Sequence, residues 1–556
     1  MRQIGIKTAS NIGVAVFYSK YILCIAPKSI ILVKISLYGD VMKHENALDY
    51  RHGRPLNARN IFLICAVVLI YCPFLYTDMI GNYVGDAAIQ IKIGLDCLAS
   101  GRFIPEEIYS WHEGLNWWPH EIGWYYIVGI AYKFLGLAGV IGVCAGFNYA
   151  IAGIIFKKHS AKVHPLIIVA VSVVARLLSF PNYNARPHLF SELAFLLVVY
   201  VMLSEKKILF KSLFFCGAAF ALAWIHGGMV PLLFAVFAVF IVIELIFRQF
   251  KTALIYLAAA AGAFVCSLLN PLGIKVWAYA LVQSDGKDVW AYNIEWAPKT
   301  FAIWEIAVLL LVIVAFAVDG RVKAFDKNAI TRLCIFCMFI VISCKYCRFM
   351  NFTALFLLAL CTEEIQSLLT WFNQNIFRIN LEKIKFSNAS FYILSAFCVF
   401  YFAFISVFSV IKFIPTNTMS TASAIAAYDE GVIGCVKQNG YKRIYNSFNT
   451  GTWLAFYGIP VHIDNRSDLY MASFSGTDYI SGQMMIDNIE DMDEFVSKYG
   501  CDALVLDLLP GTTDEWFADD LYAASDRYRV VYDNTVTSIY KEEISTRWLV
   551  VECLYD

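Results

Sequence analysis

Polar side chains able to do chemistry gather in a few short stretches between long apolar runs. These are Asp86, Trp117-Trp118-Pro119-His120-Glu121, Asn184-Ala185-Arg186-Pro187-His188, Trp224-Ile225-His226-Gly227-Gly228, Glu295-Trp296, and Lys345, Arg348 and Asn351, with a further turn at Asn270-Pro271. Carboxylates such as Asp86, Glu121 and Glu295 offer a general base or a metal ligand, while Arg186, His188, His226 and Arg348 offer donors for a departing phosphate. Together they suit transfer of a group carried on a lipid phosphate. Ionisable groups at membrane depth are costly and by default mark a cavity. Each also has a structural reading: Arg186 or Arg348 snorkelling to an interface, His226 in a helix-end turn, Asp86 as an N-cap, Trp117, Trp118 and Trp296 as interface anchors, and Asp464 and Arg466 pairing with each other. Anchoring alone does not require acids and bases at six separate turns.

The elements that must position these groups follow from composition. The chain has 556 residues, 59% hydrophobic and 16% charged, with 43 Phe, 32 Tyr and 13 Trp, and its mean hydropathy is +0.61. That excludes a soluble enzyme and gives a polytopic α-helical membrane protein. Lys plus Arg and Asp plus Glu are 44 each, so no basic footprint points to nucleic acid. The 16 cysteines lie mostly in apolar runs and read as small hydrophobes. The pairs Cys334/Cys337 and Cys344/Cys347 mimic metal motifs, but on one helix they stand roughly 15 Å apart and cannot share an ion.

About eleven crossings are expected: one near residues 60–80, one within 122–156 after a Trp/Tyr-rich interfacial helix carrying Trp124, Tyr125 and Tyr126, and others near 164–180, 188–203, 209–224, 229–246, 252–269, 302–318, 333–344, 353–361 and 391–413. Lys43, Arg51, Arg54 and Arg59 place the N-terminus in the cytoplasm, and residues 81–121, rich in acids, form the first external loop. Basic clusters at 157–162, 206–211, 248–251, 321–332 and 378–385 mark cytoplasmic turns. Residues 1–59 form a cytoplasmic segment, whose first 40 residues precede Met42 and read as a start-site artefact or signal-like extension. Residues 60–414 are the transmembrane region and 415–556 a small extracytoplasmic α/β domain. In that domain strands are expected at 444–447, 461–464 and 503–507, helices at 422–438, 485–499 and 514–524, and a closing hairpin at 529–532 and 536–540 with its turn at Asp533-Asn534. No short repeat runs along the chain.

In order along the chain, Asp86, Gly101-Arg102-Phe103-Ile104-Pro105, Trp117-Trp118-Pro119-His120-Glu121, Arg186-Pro187, Trp224-Ile225-His226-Gly227-Gly228, Asn270-Pro271-Leu272-Gly273 and Glu295-Trp296-Ala297-Pro298 resemble the GT-C superfamily of membrane glycosyltransferases that use polyprenyl-phosphate sugars, in an uncharacterised bacterial branch. Phe448-Asn449-Thr450-Gly451-Thr452-Trp453-Leu454 and the run Val461 to Tyr470 extend the likeness, which covers about residues 60–542. The resemblance implies transfer of a sugar, with inversion, from a polyprenyl-phosphate donor to an extracytoplasmic glycan, protein or lipid. It implies Asp86 as base or metal ligand, helped by His120 or Glu121. Arg186, His188, His226 and Arg348 would hold the donor phosphate, and Glu295, Trp296, Asp464 and Arg466 would serve the acceptor. Many such enzymes carry paired acids where this chain has Gly85-Asp86, so a divalent cation (Mg or Mn) at Asp86 stays open and no other cofactor is implied. The competing readings are a transporter or flippase of an anionic or lipid-linked substrate, and a non-catalytic assembly factor for envelope glycans in the inner or plasma membrane.

Overall fold

The computed structural model describes residues 57–72, 85–179, 185–285, 294–377, 387–413, 418–481, 486, 488–508, 513–538 and 545–554. The membrane region comprises α1 (Ala58–Ile70), α2 (Asp86–Ser100), α3 (Ile122–His159), α4 (Pro165–Leu178), α5 (His188–Met202), α6 (Ile208–Ile225), α7 (Val230–Ile246), α8 (Phe250–Leu268), α9 (Lys275–Asp285), α10 (Ile303–Val318), α11 (Lys327–Lys345), α12 (Met350–Phe372) and α13 (Asn388–Phe413). Among the described residues, seven helices are long and apolar enough to cross a bilayer, and α1, α4, α5 and α10 are shorter apolar helices. Inside hydrocarbon a helix satisfies its own backbone groups, which is why uninterrupted apolar runs become helices here. The chain is a membrane protein. The expected N-terminal segment 1–56, the end of the first span, Asn184 and the basic cluster at 378–385 lie outside the described residues.

Three features of the membrane region have local causes. Trp124 and Tyr125 do not face outwards: they are buried beside α2. There Gly94 and Gly129 cross so closely that a Cβ on Gly129 would sit 2.7 Å from the Gly94 carbonyl carbon. Gly136, at φ 61° and ψ −151°, then breaks α3 into two pieces, a conformation open to glycine and closed to other residues. Finally, α11 and α12 outrun the short apolar stretches that suggested them. Arg332 donates to Glu364 at 2.6 Å, and Arg321 donates to Glu363 at 3.0 Å and to Glu364 at 3.1 Å. Paired charges let both helices continue where isolated ones would end them.

The C-terminal residues build a four-stranded sheet in the order β1-β2-β4-β3 from β1 (Ile444–Asn446), β2 (Ala503–Leu508), β3 (Tyr528–Thr537) and β4 (Ser545–Cys553). β1 and β2 are parallel, while β4 runs antiparallel to both β2 and β3. Asp533-Asn534 makes no turn. Arg547 on β4 donates to Asp533 at 2.7 Å, and Asn534 donates to Asp429 at 2.7 Å, so both polar residues are held inside β3. The helix expected over 422–438 is two helices, Met419–Ile425 and Glu430–Asn439, separated by Ala427 at φ 58°. Residues 461–464 are not a sheet strand: Val461 instead bridges to Ser110 of the first loop. One core cluster runs from Trp124 and Val128 of α3 through Tyr109 to Trp453 and Trp548, so the C-terminal residues pack on that loop.

Candidate active site

α2 opens at Asp86, with Gly85 in the N-cap position, so the Asp86 carboxylate is spent on a tertiary contact rather than a cap. It pairs with Arg186, which stands just before α5. Arg186 Nη1 also donates to Glu295 Oε1 at 2.6 Å and Oε2 at 2.7 Å, so one guanidinium is bracketed by two carboxylates from distant turns. Beside them the Arg348 guanidinium carbon lies 4.5 Å from the Trp296 ring centroid, a cation–π arrangement. The Asn465 side chain lies beside Asp86, where it works to lower the carboxyl, while its own Oδ1 is buried with no hydrogen-bond partner among the described residues. His188 is only 8% exposed, and its Nε2 likewise has none.

A second cluster lies across the same space. Trp124 Nε1 donates to Gln90 Oε1 at 3.0 Å, and Gln90 Nε2 donates to Glu121 Oε2 at 2.9 Å. Gln90 sits one turn after Asp86 on α2, which aims both at one side of the helix. His120 Nε2 lies 3.5 Å from Glu121 Oε1, and the His120 ring stacks on Tyr279 with centroids 3.7 Å apart. His226 Nε2 is 4.0 Å from the same Glu121 oxygen, and its Nδ1 is 2.6 Å from Ser191 Oγ. The break between α6 and α7 explains why His226 points here: Gly227 N–H donates to the His120 carbonyl at 2.8 Å. A Cβ at Gly227 would stand 3.1 Å from that oxygen, and one at Gly228 would stand 3.2 Å from the Tyr279 ring.

The two clusters line one cavity of about 770 Å³. Its electrostatics are uneven. Burial pushes the Asp86 carboxyl above the usual carboxylate range despite the Arg186 charge. Burial also works to raise Glu295, but Arg186 and Arg348 outweigh it and hold Glu295 low. His120 is disfavoured as a cation by burial, yet its contact with Glu121 and the nearby Asp468 carry it above the ordinary imidazole value. Asp468 is raised, first by burial and also by the Glu121 charge, with His120 opposing.

Asp86, His120, Glu121, Arg186, His188, His226, Glu295, Trp296, Arg348 and Arg466 all line this cavity. Asp464 does not. It is fully buried behind the wall, where its Oδ2 accepts from Arg466 Nη2 at 2.6 Å and from the Tyr470 hydroxyl at 3.0 Å. Arg466 also pairs with Glu107 of the first loop and lies over the Trp117 ring at 4.9 Å. Sequence reasoning missed Gln90, Tyr279, Asn465 and Asp468. Gln90 was detectable from its helical spacing to Asp86, and Asn465 and Asp468 sit in the run already singled out around Asp464 and Arg466. Tyr279 carried no signal. Among the described residues no three His, Cys, Asp or Glu side chains converge as metal ligands. The Asp86 carboxylate is already engaged by a guanidinium and an amide, so these side chains do not fit a divalent ion.

No protein-family profile matches the chain, and no curated protein matches it. Among solved structures it is similar to the Archaeoglobus fulgidus oligosaccharyltransferase in the apo form, at 11% identity and a TM-score of 0.49, covering 86% of this chain and 73% of that one. It is also similar to the same enzyme tethered by a disulfide to an acceptor peptide containing the NVT sequon, at 12% identity and a TM-score of 0.44, covering 86% and 72%.

Proposed function

We propose that this protein is a GT-C-type membrane glycosyltransferase that moves a sugar from a polyprenyl-phosphate donor to an acceptor hydroxyl on the extracytoplasmic side. The supporting observation is that one cavity holds both hydrogen-bond donors (the Arg186 and Arg348 cations and the His188 imidazole) and acids (Asp86, Glu121 and Asp468). The acceptor oxygen forms a bond to the anomeric carbon as the bond from that carbon to the phosphate oxygen breaks. The departing electron pair stays on the phosphate, whose charge Arg348 and Arg186 offset, while His188 Nε2 donates a hydrogen bond. The acceptor proton passes to Asp86, with His120 and Glu121 as the adjacent proton-handling pair. A phosphate is a competent leaving group without protonation, so orientation and charge carry the step. In this reading the N-terminus is cytoplasmic, the C-terminal residues lie outside, and the shorter helices α1, α4, α5 and α10 cross the bilayer with the seven longer ones.

The test is a reconstituted assay with radiolabelled polyprenyl-phosphate hexoses. Covalent transfer of label is expected. Flux of the lipid-linked sugar without a covalent product would replace this reading with a transporter.

A further inference from the structure

We propose that the loop from Asn465 to Asp468 forms the acceptor wall of the cavity, and that it selects a neutral carbohydrate hydroxyl. This deepens the glycosyltransferase reading and rests on it. The loop spans the two clusters, with the Asn465 amide on Asp86 and Asp468 beside His120. It is rigidly seated. Arg466 is clamped by Asp464 and by Glu107, and the Ile463 carbonyl presses on Gly451 so closely that a Cβ there would lie 1.8 Å away.

What the loop presents defines its ligand. Asn465 Oδ1 is a buried acceptor with no partner among the described residues, and Asp468, 7% exposed, faces the cavity. Both take hydrogens, so they fit hydroxyl groups. The neighbouring walls are Trp117, Tyr279, Phe448 and Ile480, apolar faces against which the C–H face of a sugar ring can lie. Arg186 and Arg348 are gathered around Glu295 and Trp296, apart from Arg466 of the loop itself. An anionic acceptor would meet Asp468 and Glu121, while the adjacent Arg466 is already paired with Asp464 and Glu107 and His120 is held by Glu121.

The experiment uses the full-length protein and three probes: maltotetraose with cellotetraose as neutral oligosaccharides, a glycerol-phosphate oligomer as an anionic acceptor, and a serine/threonine peptide. Polyprenyl phosphate alone reports the donor side. Binding is followed by tryptophan fluorescence, and transfer by label from the polyprenyl-phosphate hexoses, with hydrolysis to free sugar counted separately. Asp468→Asn and Asn465→Ala should each weaken oligosaccharide binding, and raise its KM, by about tenfold or more. Polyprenyl-phosphate affinity should stay within about twofold. Unchanged oligosaccharide affinity in both variants, preference for the anionic oligomer or the peptide, or an equal loss of polyprenyl-phosphate affinity would each overturn the acceptor wall. Absence of transfer from every donor in the unmodified protein defeats the glycosyltransferase reading instead, and oligosaccharide binding by the unmodified protein and the two variants still decides this inference.

Discussion

Two buried ionic clusters sit at opposite ends of the same helices, and they are built differently. At one end of α11 and α12, Arg321 bonds Asp319, Glu363 and Glu364, Arg332 bonds Glu364, and Lys327 bonds Glu244. At the other end, about 20 Å along α11, the cavity holds Asp86, Glu121, Glu295 and Asp468 against Arg186 and Arg348. In the first cluster each named charge has an opposite charge in contact, although among the described residues Arg332 Nε and Glu364 Oε2 have no hydrogen-bond partner. In the second, among the described residues, Arg348 is met by an aromatic ring rather than an ion pair, and Arg186 Nε, His188 Nε2 and Asn465 Oδ1 have no hydrogen-bond partner. Burial of charge by itself therefore does not mark a working site. Nor does incomplete partnering alone; what sets the second cluster apart is that its unmet donors and acceptors belong to residues lining a cavity, where a ligand can take them.

Substitutions should separate the two ends. Asp86→Asn is expected to lower sugar transfer by about 100-fold or more, with a smaller loss of thermal stability in detergent than Glu364→Gln, because Arg186 keeps its two-oxygen contact with Glu295. Full activity in the purified variant would remove Asp86 from the chemistry. Glu364→Gln should do the reverse, costing about 3 kcal/mol of stability by leaving Arg332 and Arg321 under-partnered, with transfer per folded molecule intact. A loss of activity without a loss of stability would erase the distinction between the clusters. The pH dependence gives a smaller effect with a definite sign. Asp86 must be ionised to accept a proton, and its pKa is raised, so activity should climb with pH through a midpoint above the ordinary carboxylate value of about 4; a midpoint at or below that value contradicts the role. Arg348→Lys should produce the mildest change, a rise of a few-fold in donor KM, since the charge remains while the planar stack on Trp296 is lost. An unchanged KM would assign that stack to packing.

Much of the membrane region could be read from apolar runs alone, because a segment that must satisfy its backbone inside hydrocarbon has almost no alternative to a helix. The reading failed where pairing across distance overrode local signals. Asp533-Asn534 looked like a turn until Arg547 and Asp429 were seen to engage its side chains. The 461–464 run looked like a sheet strand, yet its bridging partner is Ser110, some 350 residues away in sequence. Trp124 looked like an interface anchor, and only the glycine crossing of α2 and α3 explains its burial. The cavity shows the same division. Its acids and bases could be found by their positions outside the apolar runs, but Asn465 and Asp468 were hidden beside a more conspicuous Asp-Arg pair.

The amino-acid sequence by itself determined which stretches become apolar helices and which turns carry ionisable groups, since hydropathy and charge are properties of each segment taken alone. Only the tertiary structure decided which of those groups meet. Arg186 between Asp86 and Glu295, and Asp468 beside His120, are brought together by packing between turns far apart in the chain. Coulombic and hydrogen-bond energies depend on distance in space, and no local pattern of residues encodes that distance.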